Sequence, residues 1–411
     1  MARSLIKTFI IFVSVLHFTS CQQMDCTYSV GTSNKYQCSL NVNNPNGLDG
    51  SVSIAGHHLG SYADGSVGIV KIISGITKNI PSQICKQFPN IELIHFTIAN
   101  IEIVSTIKCS LATELDLSRN SITGVSMDIC QYQPLLTKID LSYNQIKSIS
   151  STALKSCKNL VTFYIQYNKI TEMASTLFTY APKLRTLNIN GNPITSIPEG
   201  LFGSELTTLD MAALQITDLP LNVFPATNKL TALGLGSNDF TQYRTQWFQN
   251  LKSLSQLWLN WIHAPIPANL FKSLPSLSYL MMINCNITTV NREWFSTLSR
   301  LYLVTMERNN IADIPDGTFI SSELSFVDVS HNKLKTVRSK WFSNAAMTSL
   351  RDLDVESNEI NSMDSLFFDT AKNLNAFSAT KNKCYNGSNI IDFRDNRSSY
   401  MAGFKTCINN F

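Results

Sequence analysis

Ten cysteines and six histidines are the side chains of this 411-residue chain best suited to redox, metal or nucleophilic chemistry. The spacing of the thiols points to cross-links. Cys26 and Cys38 bracket a Tyr/Gly/Asn segment that reads as a disulfide-closed hairpin, and Cys384 with Cys407 would close the far end. For Cys85, Cys109, Cys130 and Cys157, sequential pairing (85 with 109, 130 with 157) is preferred. Cys109 with Cys130 is the alternative, since both occupy the same place in successive repeats. With Cys21 in the N-terminal leader described below, that leaves Cys285, whose slot points inward, so a buried inert thiol is expected rather than a reactive or intermolecular one. His57 and His58 are adjacent, yet neighbouring strand residues face opposite sides and no Cys/His/Asp cluster accompanies them, so they read as structure and no metal site is expected. No G-x-S-x-G, H-E-x-x-H or phosphate-binding glycine loop occurs, so neither an enzyme nor a cofactor is expected.

The elements that hold these residues repeat. Leu184-Arg-Thr-Leu187-Asn-Ile189-Asn-Gly-Asn192-Pro-Ile194 follows the pattern L-x-x-L-x-L-x-x-N-x-L. Its second apolar position recurs at Ile94, Leu115, Ile139, Phe163, Leu187, Leu209, Leu233, Leu257, Leu280, Val304, Val327, Leu353 and Phe377, most often 24 residues apart. A weaker copy is expected at Ile73. A fixed period of this length with this consensus defines an α/β solenoid of about 13–14 leucine-rich repeats, a horseshoe in which stacking supplies the core that no repeat can build alone. Within each unit, apolar and other residues alternate with period two, which predicts a short strand and one parallel sheet on the concave face.

The Asn of the pattern recurs at Asn120, Asn144, Asn168, Asn192, Asn238, Asn309, Asn332, Asn358 and Asn382, where a buried amide can satisfy turn backbone groups. Ala99, Leu214, Ile262 and Cys285 replace it, so the ladder should be interrupted there, with distorted turns at the bulky Leu214 and Ile262. The second half of each repeat carries Phe178, Phe202, Phe224, Phe271 and Phe319, or the pairs Trp247-Phe248, Trp294-Phe295 and Trp341-Phe342. These read as a convex-side spine filling the core.

Residues 1–21 have a basic start, an apolar run from Phe9 to Val15 and small residues at Thr19 and Cys21, the pattern of a secretory signal peptide cleaved before Gln22 or one residue earlier. Residues 22–68 are expected to form an N-terminal cap with a hairpin, 69–383 the leucine-rich repeats and 384–411 a C-terminal cap. Without the leader, 31 basic and 29 acidic residues remain, a balance that gives no support for nucleic-acid or anionic-membrane binding. No other stretch is long and apolar enough to span a membrane, so a secreted, extracellular chain is expected, with N-x-S/T glycosylation sites at Asn286, Asn386 and Asn396.

Exposed strand positions line the concave face, the usual interaction surface of a solenoid. Trp258, Trp261, Tyr279, Met281, Leu303 and Phe326 put large apolar groups on neighbouring repeats, more than a solvated face needs; Tyr143, Tyr164 and Tyr167 form a second group. Trp261 carries two readings, ligand contact or packing beneath an irregular loop near Ile262. The column Asp116, Asp140, Asp210, Asp328 and Asp354 reads as a solvated face.

The run from Cys26 to Cys38, then Gly56-His57, Gly60, Ile80-Pro81 and Phe88-Pro89-Asn90 ahead of 24-residue repeats, resembles secreted dipteran leucine-rich repeat proteins, notably the mosquito leucine-rich immune family. That resemblance implies a haemolymph recognition protein of innate immunity with a microbial surface component or a complement-like or other immune protein as ligand. The residues after Cys384 hold no heptads, so the likeness is to members without a coiled coil. An adhesion or developmental protein, or a secreted inhibitor, is the alternative.

Overall fold

The computed structural model describes residues 22–31, 34–44, 52–80, 83–104, 107–226, 228–385 and 403–409. The leader and the glycosylation positions Asn386 and Asn396 lie outside them. Four strands open the chain: β1 (Gln22–Val30), β2 (Tyr36–Asn44), β3 (Val52–Ala55) and β4 (Ile69–Thr77). The repeats follow with β5 (Leu93–His95), β6 (Glu114–Asp116), β7 (Gly124–Val125), β8 (Lys138–Asp140), β9 (Ser148–Ile149), β10 (Thr162–Tyr164) and β11 (Thr186–Asn188). Next come β12 (Thr208–Asp210), β13 (Ala232–Gly234), β14 (Gln256–Trp258), β15 (Tyr279–Met281), β16 (Leu303–Thr305) and β17 (Phe326–Asp328). The series ends with β18 (Thr336–Val337), β19 (Asp352–Asp354), β20 (Ser362–Met363) and β21 (Ala376–Ser378). Among the described residues one sheet of 17 strands runs the length of the solenoid, and β7–β9 and β18–β20 form two minor pairs beside it.

The register follows the repeat. Leu187, Leu209, Leu233, Leu257, Leu280 and Val304 pair in line across β11–β16, each fully buried, with the residues on either side turned to the concave surface. Burying a side chain of this kind is worth roughly 1.5–3 kcal/mol, so the stacked column is the main cohesive element. The aromatic second halves close the other side of the core. Phe295, Phe319 and Phe342 pack as tilted rings with centroids 5.2 and 5.1 Å apart, and the indole N–H groups of Trp247 and Trp294 donate to the Leu219 and Pro267 carbonyls, each at 3.1 Å. The Trp-Phe pairs are therefore packing groups.

Each consensus Asn ties its own turn to the preceding one. Asn144 Nδ2 donates to the Leu117 and Leu141 carbonyls, both at 3.0 Å, while its Oδ1 accepts from Ile122 N–H at 3.0 Å. The residue before it adopts a left-handed conformation, as at Arg119, Tyr143, Tyr167, Ser237 and His331, with φ between 54 and 58°. Leu214 and Ile262 do not distort their turns, contrary to expectation. Ala213 and Trp261 keep φ of 48 and 62°, and their N–H groups still reach the Gly236 and Ile283 carbonyls at 2.8 Å, so the main chain holds the turn while the apolar side chain enters the inward slot. The ladder itself does break: the Oδ1 of Asn238, one repeat beyond Leu214, has no partner. Beside the small replacements the next Asn compensates, Asn120 accepting from both Ala99 and Ile101 N–H and Asn309 from both Cys285 and Ile287 N–H. Cys285 is buried, donates to the Leu259 carbonyl at 3.2 Å in place of an amide, and burial pushes its thiol up to about 11, which suits an inert group.

The first repeat is framed on Val70, not Ile73. Val70 pairs with Ile94 and is fully buried; Ile73 is the extra residue of a bulge where β4 passes Leu40 and Asn41, and it is 58% exposed. At this end β1 and β2 form the expected antiparallel hairpin, cross-linked by Cys26–Cys38, with β3 beside β1 and β4 beside β2. Cys85–Cys109 and Cys130–Cys157 pair sequentially, with Cα atoms 4.9 and 5.0 Å apart, and Cys384–Cys407 closes the other end. His58 is held between Asp64 Oδ1 at 2.9 Å and the Tyr36 hydroxyl at 3.2 Å, a packing role.

Replacing Asn144 by Ala removes the acceptor of the buried Ile122 N–H, while the Leu117 and Leu141 carbonyls keep one amide donor each from Asn120 and Asn168, and should cost about 1–3 kcal/mol. Urea unfolding followed by circular dichroism checks this; an unchanged midpoint would remove the amide ladder from the forces that hold the turns.

Candidate functional site

Because the strands pair without offset, concave side chains form rows. One row runs Thr186, Thr208, Ala232, Gln256, Tyr279, Leu303, Phe326, Asp352, and the next runs Asn188, Asp210, Gly234, Trp258, Met281, Thr305, Asp328, Asp354. Trp258, Tyr279, Met281, Leu303 and Phe326 thus meet on four successive strands as one apolar patch, each half-buried by its neighbours. Tyr279 also leans on Tyr302, ring centroids 5.7 Å apart.

Trp261 stands on the adjacent turn and is 53% exposed, so it is not packing beneath a loop. Tyr143 and Tyr167 project from equivalent turns toward the N-terminal end. Their rings stack at 4.6 Å, and the Arg119 guanidinium lies 4.4 Å above Tyr143. Gly191 makes room for this column, since a Cβ there would sit 2.6 Å from the Tyr167 ring.

Between the two aromatic groups lies a notch of about 470 Å³. Tyr164 borders it on one side, Trp258 and Trp261 on the other, and its floor is Ala212, Gly234 and Gly236. Of the residues expected to form the site, the notch brings together Tyr164, Trp258 and Trp261; Met281, Leu303 and Phe326 extend the patch away from it, and Tyr143 lies apart on the turn column. The glycines line the notch and were not among the positions expected from the sequence. The signal was present in Leu233-Gly-Leu-Gly-Ser237, where both outward strand positions lack a side chain while both leucines remain.

The acidic column does local work. Asp116, Asp140, Asp210, Asp328 and Asp354 each accept, through Oδ1, the N–H of the residue two further on, at 2.8–3.1 Å, and so pin the chain as it leaves the strand. They are half-buried, less solvated than expected. Burial raises the carboxyl of Asp140, and burial, helped by the charges of Asp328 and Glu356, brings that of Asp354 to about 6.

Comparison with known proteins places this architecture in a class. Residues 110–170 and 299–360 match the family described as leucine rich repeat, and residues 183–204 match a second leucine rich repeat family. The chain has the leucine-rich repeat solenoid fold. Among curated relatives, osteomodulin of Bos taurus is 27% identical over 163 residues, 34% of this chain and 38% of osteomodulin. Toll-like receptor 3 of Boselaphus tragocamelus is also 27% identical, over 176 residues, 39% of this chain and 19% of the receptor. The chain therefore spans well under half the length of either relative. In the solved structures, a leucine-rich repeat protein of Leptospira interrogans superposes with a TM-score of 0.64 at 17% identity, covering 83% of this chain and 89% of that one. The TLR13–ssRNA13 complex gives 0.63 at 19% identity, covering 85% and 55%. The Drosophila Toll–Spatzle complex gives 0.57 at 15% identity, covering 78% and 40%. At these identities the structures share the fold. No helix among the described residues is long and apolar enough to cross a membrane.

Asp354 offers a pH test. Its folded-state pKa of about 6 lies above the ordinary 3.8, so its contribution to stability is complete below pH 4 and is lost as pH rises through 6. Asp354→Asn keeps an acceptor for Glu356 N–H and removes the buried charge. Its melting temperature should exceed that of the parent at pH 7 and match it at pH 4; equal melting temperatures at both values would show that the carboxyl is not held in an unfavourable setting.

Proposed function

We propose that the chain is a secreted, extracellular recognition protein of innate immunity that binds a protein or microbial-surface ligand through its concave face. The observation that carries this reading is the apolar patch from Trp258 to Phe326, set beside the notch on a sheet whose remaining concave strand positions from β11 to β21 are polar or small. A patch of this kind on an otherwise solvated surface marks a place where a partner excludes water. Likeness to Toll-like receptor 3 and to the Toll of a complex named as a hub of development and innate immunity supports the immune setting. Four disulfides among the described residues agree with an oxidising compartment. On this reading residues 1–21 direct secretion and Asn286, exposed at the edge of the face, carries a glycan. On this reading the solenoid serves as a binding scaffold.

Trp258→Ala combined with Tyr279→Ala removes the centre of the patch while the inward leucines stay in place. The double variant should be secreted, keep its melting temperature within a few degrees, and lose at least ten-fold in capture of complement-like or other immune proteins from haemolymph. Undiminished capture would move the site to another face; loss of folding would make these side chains core. Recovery of matrix or cell-surface proteins alone would favour an adhesion role, the setting in which the osteomodulin likeness would weigh more.

A further inference from the structure

We propose that the notch receives an arginine side chain of a protein partner, with Asp210 holding the guanidinium; this deepens, and rests on, the concave-face reading above. Asp210, Gly234 and Trp258 are consecutive in one row across β12, β13 and β14. Adjacent strands lie about 4.8 Å apart, so the backbones of Asp210 and Trp258 stand roughly 10 Å from each other across a position that carries no side chain, and the carboxylate leans over that gap. A planar cation fits that interval with one edge on the carboxylate and one face toward the ring.

Three features make this a built site. The carboxylate is oriented from beneath, its Oδ1 accepting Ala212 N–H and its Oδ2 accepting Asn190 Nδ2, both at 3.1 Å, and each oxygen retains a second acceptor position. Glycine is needed below it, since a Cβ at Gly234 would lie 2.5 Å from Asp210 Oδ1 and one at Gly236 would lie 2.6 Å from the Asn260 carbonyl oxygen. Asp210 is also the single charged residue among those lining the notch, which sets its preference for a cation and leaves an anionic ligand without a basic partner. Half-buried between Asn188 and Gly234, the carboxylate interacts more strongly with a cation than one fully open to water. Arginine is favoured over lysine because only the guanidinium combines a flat face for the indole with a row of donors for the carboxylate.

The test uses the full mature chain and three small probes, arginine amide, lysine amide and citrulline amide, followed by calorimetry and by the fluorescence of Trp258 and Trp261. Arginine amide should bind at least ten-fold more tightly than citrulline amide, its neutral analogue of nearly the same shape, with lysine amide between them. Asp210→Asn, which keeps an acceptor for Ala212 N–H, should abolish that preference. Gly234→Ala, which crowds the carboxylate, should weaken arginine amide at least five-fold, with melting curves confirming that both variants are folded. Equal binding of arginine and citrulline amides, no binding of arginine amide, or an Asp210→Asn variant that behaves as the parent would each overturn the inference. So would an N-acetylglucosamine trimer that binds the notch equally in parent and Asp210→Asn, which would make it a saccharide site. If arginine amide fails while the Trp258/Tyr279 double variant still loses its partner, the concave face stands and only the arginine anchor falls; if that variant captures its partner undiminished, the broader reading falls first.

Discussion

Everything on the concave surface depends on the in-register parallel pairing of three-residue strands, one from each repeat. Each strand is too short to be stable by itself, and its buried leucine has no complete environment until the repeats on both sides are present. The consequence is geometric as well as energetic. Zero offset between strands turns a linear sequence with a period near 24 into straight columns, so residues such as Asp210 and Trp258, 48 positions apart, become second neighbours on a surface. The concave surface of this molecule, its patch and its notch alike, is assembled across repeats.

The turn after each strand converts that register into a second ordered surface. The left-handed residue before the ladder position carries a full side chain at most repeats, including Tyr143, Tyr167 and Trp261. Such a conformation is unfavourable for a non-glycine residue by about 1 kcal/mol or more, and it persists because bonds from the next repeat over-determine it. The main-chain bonds of Ala213 and Trp261 show this directly, since they survive where the Asn side chain is absent. Projecting aromatic groups are therefore held on rigid stems, which lowers the entropy lost when a ligand orders them.

How much of this was legible in the sequence follows from the length scale of each signal. The repeat, its strands, the inward leucines and the aromatic spine were readable because each is written by residue type at a fixed period; of the two pairings open to Cys85, Cys109, Cys130 and Cys157, the structure has the sequential one. Val70 was not readable, because the bulge opposite Asn41 shifts the alternation by one residue and makes Ile73 look like the marker. The unperturbed turns at Leu214 and Ile262 were missed because the side chain was credited with bonds that the backbone supplies. The apolar patch was visible as bulky residues in outward positions, whereas the notch was not: it is a deficit, created by Gly234, Gly236 and Ala212 between larger neighbours, and a missing side chain acquires meaning only once the adjoining columns are known.

The placement of the disulfides has a further consequence. Cross-links clamp the hairpin, the early repeats and the C-terminal end, while among the described residues the long run between Cys157 and Cys384 has none, and the notch and apolar patch lie within that run. A linear array ordinarily melts from its tips, because an end unit breaks contact with one neighbour and an inner unit with two. With the tips tied, opening has to nucleate in the interior and create two fresh boundaries at once. Covalent bonds remote from the notch and patch thus suppress their fluctuations by closing the least costly route to disorder.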